Sequence, residues 1–323
     1  VGEAHFIRAL CYFDLGRAWG GVPLKLTPTE DLASSVGIPR STLEETYQKV
    51  HTDLNTAEDL LPTGINRIRA TKNTVYALRA RLYLYQQNWA AAEAEATKLI
   101  NDPGYTLVTP FSAWFKNNVT GTPESIFEIQ YSSQNQSAFR AQMQHPTKGG
   151  TYRYGPNANL VNLLTNPAIG GTETGRRALI GSVTQSGTTL WYGDLYYRSP
   201  ATDPTYILRI AEQYLIRAEA RTQQGNLAGA IEDLNLIRTR AGLTTFTEID
   251  LPTPEAILLA IEEERRFEFL WEGHRWFDLA RTGRAKVVLE TLDPKRNVQP
   301  FEAKFPIPVD QVLLDNLEQN PGY

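Results

Sequence analysis

The sequence contains one cysteine, Cys11, so no disulfide can form within the chain. One thiolate cannot assemble a metal site, and the four histidines have no HxxxH spacing, so no metal-binding motif is present either. No apolar run precedes Cys11 in the way that a signal peptide would precede a lipid-bearing cysteine. We therefore expect Cys11 to be a small apolar residue of the first helix.

Long apolar runs, concentrated charge and the common catalytic motifs are also absent. No stretch of about 18 apolar residues is available to cross a membrane as a helix. The net charge of −4 and the lack of a basic run give no reason to expect a nucleic-acid partner. P-loop, GxGxxG and GxSxG motifs are missing, so the sequence favours a binding protein without a cofactor over an enzyme.

Helical periodicity is the main feature that the sequence does contain, and it dominates both ends of the chain. Apolar residues recur at steps of three and four, and small alanines at inner positions let helices approach closely. Four helix pairs are predicted, spanning 2–61, 75–99, 208–237 and 253–281, the first with a connecting loop at 20–40. Their expected amino-terminal caps are Ser41 with Glu44, Asn88, Asn226, and Thr253 ahead of Pro254. Arg79-Ala80 and Asn88 recur at one common spacing as Arg217-Ala218 and Asn226, which indicates tetratricopeptide-like repeats.

Residues 103–204 have a different composition. They are rich in Gly, Asn, Thr, Ser, Pro and aromatic residues, and they show no helical period longer than a turn or two. Short strands are predicted at residues 125–131 and 188–192. Because long loops in compact domains are usually functional, we predict one mainly α domain with two parts. Residues 1–102 and 205–323 would form the helical scaffold, and residues 103–204 a loop-rich ligand-binding subdomain with a few short strands.

Residues 262–281 interleave acids, arginines and aromatic residues so densely that no face of a helix there is free of charge. Buried charges cost several kcal/mol each unless they are paired, so this segment predicts a structural ion-pair lattice. Its expected members are Glu262, Arg265, Arg266, Glu268, Arg275 and Asp278, paired with neighbours three or four residues away. Gly273 is expected to break the helix.

An acid/base or metal cluster is the competing interpretation of the same segment. It would use Glu264, Glu268, Glu272 and His274. The neighbouring arginines disfavour it, because they would hold the carboxylates ionised and prevent them from acting as acids.

Together these segments resemble the SusD/RagB family of outer-membrane lipoproteins, which capture nutrients for Gram-negative bacteria. The matching segments run in the family's order and include GEAHFIRALCYFDLGRAWGGVPL at 2–24, ESIFEIQY at 124–131, FPIP at 305–308 and the QNPGY ending. The resemblance implies a tetratricopeptide-like fold, a location on the outer face of the outer membrane, and a TonB-dependent (SusC-like) transporter barrel as partner. The sequence starts directly within a helix, so we expect the family's lipid-bearing cysteine to lie outside these residues.

The resemblance supplies no ligand-binding motif, so candidate site residues follow from chemistry alone. Sugars stack their C–H faces on flat rings and pair their hydroxyls with polar side chains. The loops offer both, and the predicted binding residues are Trp114, Tyr152, Arg153, Tyr154, Asn157, Trp191 and Tyr192. The alternative that these rings form the core of a subdomain with little regular structure stays open.

The predicted function is the capture of an oligosaccharide or polysaccharide and its delivery to the transporter, without catalysis. Two alternatives remain at this point. The helical repeats could present grooves that bind peptides or proteins, or the chain could be a structural lid on the transporter barrel.

Overall fold

The computed structural model describes residues 1–31 and 37–323, and it confirms a mainly α fold with a few short strands. The helices are α1 Gly2–Trp19, α2 Leu43–Leu60, α3 Lys72–Tyr85, α4 Trp89–Ile100, α5 Phe139–Met143, α6 Ala158–Thr165, α7 Pro167–Gly170, α8 Ile210–Gln223, α9 Leu227–Arg240, α10 Pro254–Glu268, α11 Arg275–Arg281, α12 Ala285–Leu292 and α13 Val309–Leu314. The strands are β1 Ser125–Ile129, β2 Ile180–Gln185, β3 Thr188–Gly193 and β4 Thr205–Arg209.

The chain divides into two units: Val1–Pro62 with Arg275–Tyr323, and Thr63–His274. The predicted loop-rich segment 103–204 lies inside the second unit.

In the first unit, α1 packs against α2 through a buried apolar face that includes Phe6, Phe13 and Leu54. The capping box of α2 is formed by Thr42 and Glu45, one residue later than the predicted Ser41 and Glu44. The reason is that a cap side chain must stand immediately outside the helix, and α2 begins at Leu43. Of the predicted loop at 20–40, residues 32–36 lie outside the described residues.

Cys11 lies in the first helix, as predicted, but its side chain is exposed and does not pack as an apolar residue of the core. Helical residues are rotated by about 100° from one to the next, so a residue two positions from a buried one faces away from it. Ala9 and Phe13 lie on the buried face of α1. Cys11, two residues from each, therefore lies on the opposite face.

The second unit contains the repeated helix pairs α3 with α4 and α8 with α9, and α10 packs against α8 and α9. The predicted caps are confirmed, because Asn88, Asn226 and Thr253 each accept a backbone hydrogen bond at the start of α4, α9 and α10. Small side chains allow the close helix packing that the alanine pattern predicted. Alanines dominate one buried cluster between these helices, made of Ala80, Leu84, Ala92, Ala96, Ile216 and Ala220. The helix break contains the predicted Gly273, whose φ is 81°, but it begins earlier, since α10 ends at Glu268 and α11 starts at Arg275.

Two small antiparallel sheets complete the second unit. Strand β1 pairs with β4, and β2 pairs with β3 in a hairpin. The strands predicted at 125–131 and 188–192 correspond to β1 and β3, whereas β2 and β4 were not predicted. The β2–β3 turn consists of Ser186 and Gly187, whose φ values of 51° and 79° are typical of a tight hairpin turn.

Candidate functional site

The β2–β3 hairpin presents one face that combines an aromatic ring with hydroxyl groups. Directly opposed residues of an antiparallel pair lie on the same face of the sheet. Trp191 is opposite Ser182, and Thr189 is opposite Thr184, so these four side chains share a face. Ser182, Thr184 and Thr189 are exposed, and Trp191 is half-buried. The hairpin thus places three exposed hydroxyls on the same face as one indole ring.

The indole of Trp191 is held in place on two sides. Its apolar surface packs against a buried cluster of Leu164, Ile180 and Phe267. The guanidinium of Arg177 lies 4.6 Å from the ring centroid, and Arg177 is itself fixed by a 2.6 Å hydrogen bond to the carbonyl of Ile180. A cation over the ring adds attraction of about 0.5–1 kcal/mol at a partly exposed site. The ring is therefore pre-positioned, which lowers the entropy cost of binding against it.

Tyr152 joins a second loop to this hairpin. Its hydroxyl donates a 2.6 Å hydrogen bond to the carbonyl of Trp191, and its backbone N–H donates to the carbonyl of Gln144. Tyr152 has a φ of 51°, an uncommon value for a residue other than glycine. The structure therefore brings Tyr152 and Trp191 together, as a site formed from both loops requires.

Arg153 and Tyr154 extend from the same segment toward solvent. Their backbone N–H groups donate to the carbonyl of Gln142 at 2.7 and 3.0 Å, which fixes the segment beside α5. The side chain of Tyr154 is 51% exposed, and Arg153 is exposed as well. An exposed phenol ring next to an exposed guanidinium is a suitable surface for a polar, ring-shaped ligand.

Three of the predicted binding residues have a role in the fold: two are buried and one caps a helix. Trp114 is fully buried, 4.7 Å from the ring of Tyr206 and 4.2 Å from the guanidinium of Arg209. Tyr192 is buried on the opposite face of the hairpin from Trp191. Asn157 caps α6 by accepting a 2.8 Å hydrogen bond from the N–H of Leu160. Because buried rings offer no surface to a ligand, we leave Trp114 and Tyr192 out of the candidate site.

Sequence reasoning missed Arg177, Ser182, Thr184 and Thr189 as site residues. A signal for the last three was present, because the dipeptide Ser186-Gly187 between two threonine-bearing runs is a hairpin pattern. Hairpin pairing would have placed them beside Trp191. Arg177 had no such signal, since its contact with the ring depends on tertiary packing.

The acidic segment 262–281 does contain buried ion pairs, and its buried glutamates have partners that the sequence analysis did not predict. Its buried glutamates are paired with arginines of other elements: Arg176 with Glu264 and Glu268, Arg238 with Glu264, Arg240 with Glu268, and Arg209 with Glu268 and Glu272. Of the short-range pairs, the predicted pair of Asp278 with Arg281 is present at 3.0 Å, and Arg266 also pairs with Glu263. The physical reason is that the buried side chains of α10 face neighbouring elements. Arg265 does so too, since its guanidinium lies 3.9 Å from Glu212 of α8.

The arginine contacts of this cluster do not favour the competing acid/base interpretation, although the expectation that arginines hold the carboxylates ionised is met by Glu268 and not by Glu272. Burial would raise the pKa of Glu268, but Arg240, Arg209 and Arg176 lower it below its usual range. Burial raises the pKa of Glu272 to about 7, against the opposing effect of Arg209. Both carboxylates are engaged by arginine, and a catalytic acid needs a side free for substrate.

Within residues 1–31 and 37–323, no group of three or more His, Cys, Asp or Glu side chains is arranged to hold a metal ion.

Two family models match the chain. One, described as "SusD family", matches residues 192–323, and the other, described as "Starch-binding associating with outer membrane", matches residues 1–84. The chain belongs to the SusD family. The part matched by the SusD family model contains β4, α8, α9 and the ion-paired helix α10.

Individual members of the SusD family agree with this assignment. SusD-like protein P38 of Formosa agariphila is 29% identical over 100% of this chain and 74% of that protein. A SusD superfamily crystal structure from Bacteroides vulgatus matches with a TM-score of 0.86 at 23% identity, covering 100% of this chain and 77% of that one. A structure described as a laminarin binding SusD-like protein matches with a TM-score of 0.80 at 24% identity, covering 100% and 78%. Both structural matches show a shared fold. None of the helices in the described ranges is long and apolar enough to cross a membrane.

Proposed function

We propose that this protein captures an oligosaccharide or polysaccharide at the outer face of the outer membrane and passes it to a TonB-dependent transporter, without catalysing a reaction. The observation that carries the proposal is the hydrogen bond from Tyr152 to Trp191, which joins the loop that carries exposed Tyr154 to the hairpin that carries the exposed hydroxyls. Support also comes from the family: one matching model is described as starch-binding and outer-membrane-associated, and one structural relative is described as laminarin binding.

The chemistry of this surface suits a carbohydrate. The C–H face of a pyranose stacks on a flat ring such as that of Tyr154, which is 51% exposed. The hydroxyls of Ser182, Thr184 and Thr189 can each donate and accept hydrogen bonds, which matches the hydroxyls of a sugar. The site is open, and open sites suit long chains that extend past the contact residues.

Binding to a panel of polysaccharides tests the carbohydrate proposal. Affinity electrophoresis identifies a ligand, and calorimetry then compares the wild type with the double variant Trp191→Ala, Tyr154→Ala. We expect the double variant to lose at least about tenfold in affinity, since each aromatic contact contributes on the order of 1 kcal/mol. Tyr323→Ala is the matched control, because Tyr323 is a 47% exposed tyrosine in the other unit.

Three outcomes would contradict this proposal. They are the absence of binding to any glycan, binding unchanged by the double variant, and binding of peptides that survives loss of both rings. Delivery to the transporter is tested separately, by co-purification from membranes that contain the barrel. A protein that bound glycan but never co-purified with a barrel would retain the first half of the proposal and lose the second.

A further inference from the structure

Residues 129–193, within the loop-rich segment 103–204, carry a net charge opposite to that of the whole chain. Between Glu128 and Glu173, residues 129–172 contain no aspartate or glutamate, although 36 acids in 323 residues would place about five in a stretch of that length. Residues 129–193 contain one acidic residue and five basic residues, which are Arg140, Lys148, Arg153, Arg176 and Arg177. Residues 129–193 thus have a net charge of +4, whereas the whole chain has −4.

Contacts with α5 bring together the segments that carry three of these cations, and we call Arg140, Lys148 and Arg153 the loop cluster. Arg140 lies in α5, and its guanidinium donates to the backbone carbonyl of Lys148. The backbone N–H of Arg153 donates at 2.7 Å to the carbonyl of Gln142, which also lies in α5. Arg153 stands between Tyr152 and Tyr154 in the sequence, so the cluster lies at the proposed carbohydrate site.

No carboxylate of the described residues neutralises this cluster. Lys148 and Arg153 are exposed and have no ion-pair partner there, and the guanidinium of Arg140 bonds to backbone carbonyls, including that of Tyr197. The acid that follows the hairpin, Asp194, is paired with Lys116 at 2.5 Å. Uncompensated cations on a surface attract anions, and a guanidinium offers two parallel hydrogen bonds to a carboxylate or a sulfate.

We infer that this site selects glycans that carry acidic groups, either uronate carboxylates or sulfate esters. The inference rests on the proposed carbohydrate-binding function. Tyr154 would stack on the sugar ring, while Arg153 and Lys148 pair with its anionic substituents. Arg140, tied to backbone carbonyls, adds positive potential and holds the Lys148 loop in place.

Matched pairs of polysaccharides test this inference, because each pair shares a backbone and differs in charge. The probes are dextran with dextran sulfate, methyl-esterified with de-esterified pectin, and desulfated with native carrageenan. We expect the anionic member of at least one pair to bind at least about tenfold more tightly than its neutral counterpart. Preference for de-esterified pectin identifies a carboxylate ligand, and preference for the sulfated members identifies a sulfate. Binding should weaken as sodium chloride is raised, because exposed charges are screened.

Variants that remove a positive charge test whether the loop cluster causes the preference for anionic glycans. Arg153→Gln and Lys148→Gln should each weaken binding of the anionic member by about five- to tenfold more than they weaken binding of its neutral counterpart. Lys295→Gln is the matched control, since Lys295 is exposed and lies outside the acid-free segment. Equal binding of neutral and anionic members, or an anionic preference that survives both variants, would overturn the inference while the proposed function stands. Absence of binding to every glycan would overturn both.

Discussion

Arg209 donates two parallel hydrogen bonds to Glu272, from Nε to Oε2 at 2.8 Å and from Nη2 to Oε1 at 2.7 Å. The same guanidinium also donates to Glu124 at 2.6 Å and to Glu268 at 3.2 Å. Arg209 stands at the end of β4, so one side chain ties a strand to the carboxylates of α10 and of the turn that follows it. Three buried carboxylates therefore share this cation, and Glu124 and Glu268 are also paired with Arg240.

We predict that Arg209→Met lowers the free energy of unfolding by about 3–5 kcal/mol, because it removes the arginine paired with buried Glu272 and one of the counter-charges of Glu124 and Glu268. Urea unfolding followed by circular dichroism measures the change. Arg266→Ala is the control, because Arg266 forms a more exposed pair with Glu263 and should cost less than about 1 kcal/mol. Equal effects of the two substitutions would show that the buried cluster does not stabilise the fold.

The unfolding free energy should also depend on pH through Glu272. Burial raises its pKa to about 7 from 4.5, so the folded state holds this proton more tightly than the unfolded state. The contribution of this group to stability is therefore fully present below about pH 4.5 and is lost as the pH rises through about 7. Glu272→Gln should flatten the pH dependence across that interval, whereas exposed Glu263→Gln should leave it unchanged. A profile unaltered by Glu272→Gln would contradict the raised pKa.

The same cluster shows where sequence reasoning succeeds and where it stops. The caps Asn88, Asn226 and Thr253 could be predicted because a cap depends on residues within one helical turn. The partners of Glu268 could not, since two of them, the arginines at 176 and 209, lie 92 and 59 residues away. Density of charge indicated that ion pairs were present, but only the tertiary fold determines which arginine reaches which carboxylate.

The candidate site, too, could be predicted from the sequence only in part. Aromatic and polar residues in loops indicated the right region, and Tyr152 and Trp191 do meet there. Composition could not separate the exposed ring of Tyr154 from the buried ring of Trp114, because tyrosine and tryptophan serve both roles. Burial of a loop residue depends on which elements cover it, and those elements are distant in sequence.

Cys11 provides a test of the exposed face of α1. We predict that a maleimide labels the native protein once, because Cys11 is exposed and is the one cysteine of the sequence. Partial desolvation of the thiol and the nearby charge of Asp14 raise the pKa of Cys11, so labelling at neutral pH should be slower than for a small free thiol and should accelerate as the pH rises. Mass spectrometry measures the labelling, with Cys11→Ser as the control. Labelling that required denaturant would show that Cys11 is buried after all.

Gly181 tests the hairpin that carries the candidate site. A Cβ atom at this position would lie 2.6 Å from the ring of Tyr192, which is buried and has little room to move. We predict that Gly181→Ala lowers the free energy of unfolding by about 1–3 kcal/mol, the usual cost of overpacking, and weakens glycan binding by displacing the hairpin. Ser182→Ala is the matched control, because Ser182 is adjacent but points to the opposite, exposed face. It should leave stability within about 0.5 kcal/mol of the wild type. If Gly181→Ala were as stable as Ser182→Ala, the close packing of Tyr192 on this strand would be refuted.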